Sequence, residues 1–222
     1  NWLSRDGDYL DADSNANQLL NFTGNHDMGR FAHMLMKTEK FTPDEAMQRV
    51  NLAHAMMFYL RGIPIIYYGD EQGFTGDGHD KDSRQNMMPS KVASYNDDIL
   101  LGTDKTTAND NFDQTHPIYQ QLAQYADTFY RFPALRYGEQ ATVFANESSG
   151  IYAATRATKE ETLLVLFNSS DKPAKQTFPL KQKANQLTEA FRSAKPVEYT
   201  LSTNNDVTVA LPPLSTLVLK LN

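Results

Sequence analysis

Cysteine is absent from the 222 residues of this chain. The chain can therefore form neither a disulfide framework nor a thiolate metal site, and its redox compartment cannot be inferred. Long apolar runs are missing as well, because the longest candidates, residues 63–68 and 163–167, have the length of strands. A membrane-spanning helix needs about 18 consecutive apolar residues, so the sequence predicts a soluble protein without membrane contacts.

The chain is also short of positive charge. It has 21 Lys and Arg against 27 Asp and Glu, which gives a formal net charge of -6 at pH 7. Nucleic-acid binding depends on clustered Lys and Arg, so this balance argues against a nucleic-acid partner and suits a neutral substrate. A hydrophobic share of 40% at this length allows one large domain or two ordinary ones.

The first residues carry two signals. The chain begins at Asn1 without an initiator methionine or a charged-then-apolar leader, so we expect a segment of a longer protein. Four carboxylates, from Asp6, Asp8, Asp11 and Asp13, then crowd one loop and could hold a calcium ion through oxygen ligands. Their spacing lacks the glycine and the terminal glutamate of an EF-hand loop, which favours a solvated acidic loop.

Alternating strands and helices are predicted next. Residues 19–23 form a short apolar strand, and residues 42–45 are a capping box with proline at the first helical position. The apolar residues that follow at helical spacing are Ala46, Val50, Ala53, Met57 and Leu60. Gly62 is expected to end this helix as a left-handed cap, and residues 63–68, apolar on both faces, predict a strand covered on both sides in a parallel sheet. This alternation predicts an α/β architecture.

The rest of the chain divides into a polar loop, one helix and a strand-rich region. Residues 69–115 are rich in Gly, Asp and Asn, and a loop of that length inside a compact domain is usually functional. Residues 117–131 predict an amphipathic helix. Short strands with turn signals between several of them indicate an antiparallel sandwich after a boundary at residue 137/138. The predicted strands are residues 141–145, 151–156, 162–168, 177–180, 197–201, 207–211 and 216–221.

A polar triplet, Asn25-His26-Asp27, directly follows strand 19–23. In barrel enzymes the catalytic residues lie in this position, on the loop after the carboxyl end of a strand. The alternative is a polar turn whose side chains satisfy local backbone donors. Arg30 lies three residues beyond Asp27, and residues 62–73 read GIPIIYYGDEQG. Together these segments resemble glycoside hydrolase family 13, the α-amylase family.

The resemblance implies a particular piece of a fold. In that family the triplet follows the seventh strand of a (β/α)8 barrel, and the second segment is the eighth strand with its exit. A complete barrel needs about 250 residues, whereas residues 1–137 contain only two strand-helix units. We therefore expect an α/β plus all-β chain, in which a partial (β/α)8 barrel, its last two βα units, is followed by an antiparallel β-sandwich at residues 138–222.

For the triplet the resemblance implies sugar binding. Asp27 is similar to the third carboxylate of the family's active site, which binds sugar hydroxyls beside the scissile bond and is neither nucleophile nor acid. A charged acceptor suits this because it makes stronger bonds to hydroxyls than a neutral group does. His26 is expected to contact the same sugar, or else to brace the loop through Nδ1. Asn25 is expected to orient the turn, and Arg30 to fix a neighbouring carboxylate.

A second pair of site residues lies in the long loop. Asp80 and Arg84 are four residues apart, and family members often carry this spacing after the eighth strand to bind the sugar ring two places from the cleavage point. Asp77 and Asp82 are competing acidic neighbours. The alternative is a salt bridge at i,i+4. Glu71 is expected to be structural, without a proton-transfer role.

Two groups that the family uses for chemistry have no counterpart in these residues. They are the nucleophilic aspartate after the fourth strand and the general-acid glutamate after the fifth. Retaining hydrolysis needs that pair about 5 to 5.5 Å apart, so the chain alone is expected to be inactive. The family's usual calcium site, built largely from the third-strand excursion, is missing too. We assign no metal ligand and no cofactor to this segment, although calcium stays possible in the parent protein.

These features predict the C-terminal segment of an α-amylase-type retaining glycosidase that acts on α-1,4-glucans or maltooligosaccharides. Its expected partners are that substrate and the N-terminal remainder of the barrel, and the family suggests a secreted or periplasmic location. The alternative is a non-catalytic carbohydrate-binding or assembly protein, which would have no reason to keep His26 and Asp27 together with Asp80 and Arg84. A starch-binding module in the sandwich would predict paired exposed tryptophans, and Trp2 is the only tryptophan.

Overall fold

The computed structural model describes residues 11–76, 78 and 80–222. The α-helices of this part are α1 (Phe31–Lys37), α2 (Pro43–Tyr59), α3 (Pro117–Arg131) and α4 (Pro133–Tyr137). Its strands are β1 (Leu20–Asn21), β2 (Ile63–Pro64), β3 (Glu139–Asn146), β4 (Ile151–Ala157), β5 (Thr162–Asn168), β6 (Ala174–Pro179), β7 (Leu187–Arg192), β8 (Glu198–Leu201), β9 (Asp206–Leu211) and β10 (Ser215–Leu221). Short 3-10 helices lie at Ala16–Gln18, Asp70–Gln72, Asp80–Ser83 and Ala93–Tyr95. Among the helices of the described residues, none has the length and apolar content to cross a bilayer.

Helix α2 begins at the predicted capping box. The backbone N–H of Thr42 donates to the Glu45 carboxylate at 2.9 Å, and the backbone N–H of Glu45 donates to the Thr42 hydroxyl at 3.3 Å. These reciprocal bonds satisfy donors that a first helical turn otherwise leaves open. The helix ends at Tyr59, so the predicted left-handed cap at Gly62 is wrong. Gly62 has a φ of 111° and already leads the chain into β2.

Strands β1 and β2 pair with each other. The Ile63 N–H donates to the Leu19 carbonyl and the Ile65 N–H to the Asn21 carbonyl, both at 2.8 Å. The residue numbers increase in the same direction along both strands, so the strands are parallel, as predicted. They are shorter than the predicted strands, because a ladder of two strands offers each strand a single neighbour and stays marginal over longer stretches.

The apolar side chains around this ladder are exposed. Leu20 is 59% exposed, Ile63 44%, and Ile65 and Ile66 40% each. The prediction that residues 63–68 are covered on both faces is therefore wrong for this chain. A ladder of two strands lacks the further strands and helices that cover a complete parallel sheet. An exposed apolar surface of this kind is typical of an interaction site.

The long loop is folded back on itself by two isolated bridges. They join Phe74 to Leu100 and Ile99 to Thr106. Phe74 and Leu100 are buried, so the loop has a small apolar core of its own. As predicted, the described part of residues 69–115 contains no α-helix.

Helix α3 follows at the predicted residues. Its Ile118, Leu122 and Tyr125 side chains are buried, and Phe129 is half-buried, which confirms the predicted apolar face. The short helix α4 comes directly after it and leads into β3.

Strands β3 to β10 form two antiparallel sheets, which confirms the predicted sandwich. The sheet orders are β3-β4-β5-β10-β7 and β6-β9-β8. Residues facing inward alternate with outward ones along β9, as expected for a strand with one covered face. The buried core consists of Ile151, Ala153, Leu164, Leu166, Phe178, Leu180, Val207, Val209, Leu211, Leu217 and Leu219.

Strand β7 was not predicted from the sequence. Its residues, LTEAFR, include several good helix formers and only one β-branched side chain, so they carry a weak strand signal. Tertiary pairing decides the conformation, because β7 adds to the edge of the larger sheet beside β10. The register shifts between Val218 and Leu219, as in a β-bulge, which sequence patterns do not reveal.

The chain divides into two compact units. One contains residues 127–222, Phe58–Ile63 and the described residues up to Leu19. The other contains Leu20–Met57 and Pro64–Ala126, and all the predicted site residues fall in it. The domain boundary at residue 137/138 stays a prediction.

His54 generates a prediction about stability and pH. It is buried on α2, and burial lowers its pKa to about 4. Histidine in an unfolded chain has a pKa near 6.5, so between these values the unfolded state binds a proton that the folded state does not. We expect stability to fall as the pH drops from about 6.5 to about 4, with a His54 contribution of about 3 kcal/mol, and this contribution to level off below.

Urea unfolding between pH 7.5 and 4 measures this effect, with His54→Gln as the reference that cannot titrate. Other groups lose stability in acid in both proteins, so the difference between the two pH profiles isolates His54. Parallel profiles would show that the buried imidazole does not control this pH range.

Candidate active site

The polar triplet forms a tight turn after β1. The Asn25 side-chain oxygen accepts from the Asp27 N–H at 2.8 Å and from the Met28 N–H at 2.7 Å. Gly29 closes the turn with a φ of 84°, and its carbonyl accepts from the Asn25 N–H at 3.3 Å. Asn25 thus satisfies the donors inside the turn, which leaves the side chains of His26 and Asp27 outside it.

His26 and Asp27 are adjacent and open to solvent. The His26 and Asp27 side chains are 61% and 66% exposed, and His26 Nε2 lies 3.3 Å from Asp27 Oδ2. A carboxylate in this position keeps acceptor sites free for an incoming ligand.

Arg84 joins the long loop to this turn. Its Nε donates to the His26 carbonyl at 3.3 Å, and its Nη2 lies 3.6 Å from Asp27 Oδ1. The same Nη2 donates to Asp80 Oδ1. The fold therefore brings together His26, Asp27, Asp80 and Arg84, which we call the site cluster.

Arg30 holds the turn in place through buried hydrogen bonds. Its side chain is 0% exposed, and Nη1 donates to the Tyr68 carbonyl and to Asp70 Oδ1, both at 2.9 Å. Its Nη2 donates to the Ser83 carbonyl at 3.1 Å. Because Ser83 immediately precedes Arg84, this one guanidinium connects the turn to the loop that carries the other half of the site cluster.

Aromatic rings surround the same guanidinium. The Arg30 Cζ atom lies 4.7 Å from the ring centroid of Tyr67, 5.1 Å from that of Phe74 and 5.4 Å from that of Tyr68. The Tyr67 hydroxyl also donates to the Ser83 carbonyl at 3.2 Å. These rings exclude water and attract the cation through their faces, so Arg30 is held by packing as well as by hydrogen bonds.

Burial changes the proton affinity of two groups beside Arg30. It raises the pKa of Asp70 to about 6, against the opposing attraction of Arg30. It also raises the pKa of Tyr67 to about 12. Sequence reasoning passed over Asp70 and Ser83. Asp70 could have been found, because it lies in the segment GIPIIYYGDEQG that resembles the family, together with Tyr67 and Tyr68.

The site cluster combines acceptors and donors but offers no metal site. Its two carboxylates and one guanidinium can accept from and donate to neighbouring hydroxyls, which suits a polyhydroxyl ligand. In the part of the chain that the structure describes, no three His, Asp or Glu side chains converge as metal ligands would.

The acidic residues near the start and in the loop are only partly described. Asp11 Oδ1 accepts from the backbone N–H groups of Asp13 and Ser14 at 3.2 and 3.1 Å, which lowers its pKa. Asp6, Asp8 and Asp77 lie outside the described residues. Asp82 is described and exposed.

Comparisons with known proteins agree on one family. The family model for the α-amylase catalytic domain matches residues 8–136. An α-amylase of Streptomyces lividans is 38% identical over 217 residues, which cover 96% of this chain and 23% of that protein. A β/α-amylase of Paenibacillus polymyxa is 31% identical over 75% of this chain and 11% of its own length. The chain thus spans less than a quarter of these curated relatives.

Solved structures show the same fold. An Anoxybacillus α-amylase superposes with a TM-score of 0.70 at 21% identity and covers 92% of this chain and 38% of its own. An α-amylase from Geobacillus thermoleovorans complexed with acarbose gives a TM-score of 0.64 at 21% identity, over 93% of this chain and 39% of its own.

The buried pair of Arg30 and Asp70 generates a prediction about stability. Arg30→Met leaves a carboxylate buried without its cation, and such a loss costs about 3 to 5 kcal/mol. Adding Asp70→Asn removes the orphaned charge, so the double variant should be more stable than Arg30→Met alone. Urea unfolding of the four proteins in this cycle measures the coupling.

Arg131→Met is the matched control, because Arg131 pairs with Asp127 at 2.8 Å while both side chains are at least half exposed. Surface pairs contribute about 1 kcal/mol or less. An Arg30→Met variant that lost no more stability than Arg131→Met would contradict the assigned role of the buried pair.

Proposed function

The chain belongs to the α-amylase family, glycoside hydrolase family 13, and we propose that it forms the C-terminal segment of a retaining enzyme that cleaves α-1,4-glucans or maltooligosaccharides. One observation carries the proposal: Arg84 gathers His26, Asp27 and Asp80 into a single exposed cluster from two segments that are far apart in sequence. The α-amylase names of the relatives, and acarbose in the Geobacillus structure, support the substrate class.

We assign Asp27 to transition-state stabilisation. Its exposed oxygens accept from hydroxyls of the sugar beside the scissile bond, and such bonds strengthen as the ring distorts toward an oxocarbenium-like state. His26, 3.3 Å away, donates to or accepts from the same sugar. Asn25 and Arg30 act on this pair indirectly, since they hold the turn and not the ligand.

We assign Asp80 and Arg84 to a sugar ring two places from the cleavage point. In the chain itself Arg84 pairs with both Asp27 and Asp80, and all three side chains are at least 44% exposed. Exposed ion pairs of this kind are weak, so hydroxyls of a glucan can replace them with bonds of similar strength.

The N-terminal remainder of the barrel is the proposed partner of this segment. The exposed apolar side chains around β1 and β2, Leu20 and Ile63 among them, favour packing against further strands. That remainder supplies the nucleophile and the general acid, so the 222-residue chain alone is inactive. Calcium, which the family implies, finds no group of three ligands in the described residues, and no step here involves it.

A non-catalytic carbohydrate-binding or assembly protein of the same fold is the alternative function. It would need no transition-state carboxylate, so it would tolerate the loss of the Asp27 charge. It would also hydrolyse nothing as the complete wild-type protein, so the rate of that protein on a maltooligosaccharide discriminates between the two functions.

The first prediction from this proposal is that Asp27→Asn in the complete enzyme lowers kcat far more than it raises KM. Interactions made chiefly in the transition state appear in kcat. Loss of a charged acceptor bond of ~1.5 to 3 kcal/mol corresponds to at least roughly a tenfold drop. Steady-state rates on a maltooligosaccharide measure it, with Asp82→Asn as a control for charge loss at an exposed neighbouring aspartate. If Asp27→Asn kept the wild-type kcat, Asp27 would only stabilise the loop and would have no role in the transition state.

The second prediction concerns substrate length. Asp80→Ala and Arg84→Ala remove remote binding energy that orients the reacting ring, so the loss in kcat/KM should grow with the length of the maltooligosaccharide. Asp80→Ala should cleave a short substrate that never reaches this ring position nearly as before. Arg84→Ala also removes the contacts of Arg84 with His26 and Asp27, so a smaller loss that does not depend on length adds to its effect.

Arg131→Ala is the matched control for these two variants, because Arg131 and Asp127 form another exposed pair at i,i+4. If Asp80 and Arg84 formed only such a pair, worth a few tenths of a kcal/mol, every substrate would change by the same small factor. Equal kcat/KM ratios across a chain-length series would thus remove Asp80 and Arg84 from the substrate site and leave the Asp27 assignment intact.

A further inference from the structure

Two exposed tyrosines flank one arginine where α3 meets α4. Tyr130, in the last turn of α3, is 76% exposed, and Tyr137, the last residue of α4, is 70% exposed. The Arg136 Cζ atom lies 5.3 Å from the ring centroid of Tyr130 and 5.0 Å from that of Tyr137. We call Tyr130, Arg136 and Tyr137 the tyrosine platform.

The backbone beneath the platform is firmly held. Ala134 and Leu135 are 0% exposed, and the Ala134 N–H donates to a Glu161 carboxylate oxygen at 2.8 Å. The Leu135 carbonyl accepts from Arg156 Nη2 at 3.1 Å. The two rings are therefore presented by a fixed backbone and not by a frayed helix end.

The arginine of the platform has no carboxylate partner among the described residues. Its Nε is buried and has no hydrogen-bond partner, and in the described part of the chain no carboxylate forms an ion pair with it. Its neighbour Arg131 shows the contrast, because it is paired with Asp127. Both rings attract the guanidinium, and its planar fork carries further donors besides Nε.

This combination of groups matches a pyranose chain. A glucose ring has apolar C–H faces, which pack on aromatic rings, and an edge of hydroxyls, which accept from guanidinium donors and bond to phenol oxygens. An acidic partner would also meet the cation, but it would be repelled by a chain of net charge -6. A neutral polysaccharide meets no such repulsion.

We propose that the tyrosine platform is a second glucan-binding site, formed without any residue of the site cluster. The identity of its ligand rests on the proposed function, since an enzyme of α-glucans meets long glucan chains. The platform holds a polysaccharide on the protein surface, whereas the site cluster binds the segment that reacts. Its effect is therefore confined to long glucans.

Affinity electrophoresis of the complete enzyme in gels that contain amylose tests the proposal. We expect Tyr130→Ala and Tyr137→Ala each to weaken amylose binding by roughly two- to tenfold, and the double variant to weaken it further. Arg136→Lys should also weaken it, because lysine lacks the planar fork of donors. Hydrolysis of a chromogenic maltotrioside should stay at the wild-type rate in all these variants.

Two controls sharpen the result. Phe112→Ala removes another exposed aromatic side chain, 64% exposed, that lies outside the platform, and Arg131→Ala removes a neighbouring arginine that is already paired. Both should bind amylose as the wild type does. Far-ultraviolet circular dichroism and the urea midpoint show that each variant is folded.

The outcomes separate this proposal from the proposed function. Amylose binding that is unchanged in the double tyrosine variant, or lowered equally in Phe112→Ala, overturns the platform whatever the activity. A wild-type dimer that the tyrosine substitutions convert to monomers, with amylose binding retained, also overturns it, because a second copy would then be the occupant. Platform-dependent amylose binding by a protein that does not hydrolyse the maltotrioside supports the platform and contradicts the proposed catalysis.

Discussion

The buried guanidinium of Arg30 is the constraint on which the candidate site depends. A cation removed from water has to be paired and hydrogen-bonded, and Arg30 meets this requirement through Tyr68, Asp70 and Ser83. These partners lie 38, 40 and 53 residues further along the chain. The hydrogen bonds of this one side chain therefore connect the turn after β1, the residues that follow β2 and the loop segment that carries Arg84. The placement of Arg84 follows, because it is the next residue after Ser83.

Two arginines of the same region have different physical roles because their burial differs. Arg30 is fully buried, so loss of a partner leaves an uncompensated charge and its geometry is rigid. Arg84 is 44% exposed and contacts two exposed carboxylates, Asp27 and Asp80, whose attraction is screened by water. The first can hold a site in shape, and the second can exchange its partners for a ligand. A binding site needs both properties, and this loop system divides them between two side chains of one chemical type.

Exposed hydrophobic groups also differ in what they can contact. Ile63 and Ile65 beside the short ladder have no polar atom in their side chains, so only another apolar surface can satisfy them. Tyr130 and Tyr137 carry a hydroxyl and flank a cation, which lets them remain hydrated and still offer ring faces. The isoleucines therefore need an apolar partner to leave water, whereas the tyrosines tolerate water and can also contact a polar ligand.

The sequence by itself determined the elements whose signals are local: the capping box of α2, the apolar face of α3 and most strands of the sandwich. It also identified Asn25-His26-Asp27 and the spacing of Asp80 and Arg84 through their family resemblance. Only the tertiary structure decided that LTEAFR becomes a strand, because an edge position beside β10 outweighed its weak propensity. Only the tertiary structure, likewise, placed Arg84 against the His26 carbonyl, 58 residues away, and chose Asp70 as the partner of Arg30. Contacts between distant segments depend on how the chain packs, and local periodicity carries no information about that packing.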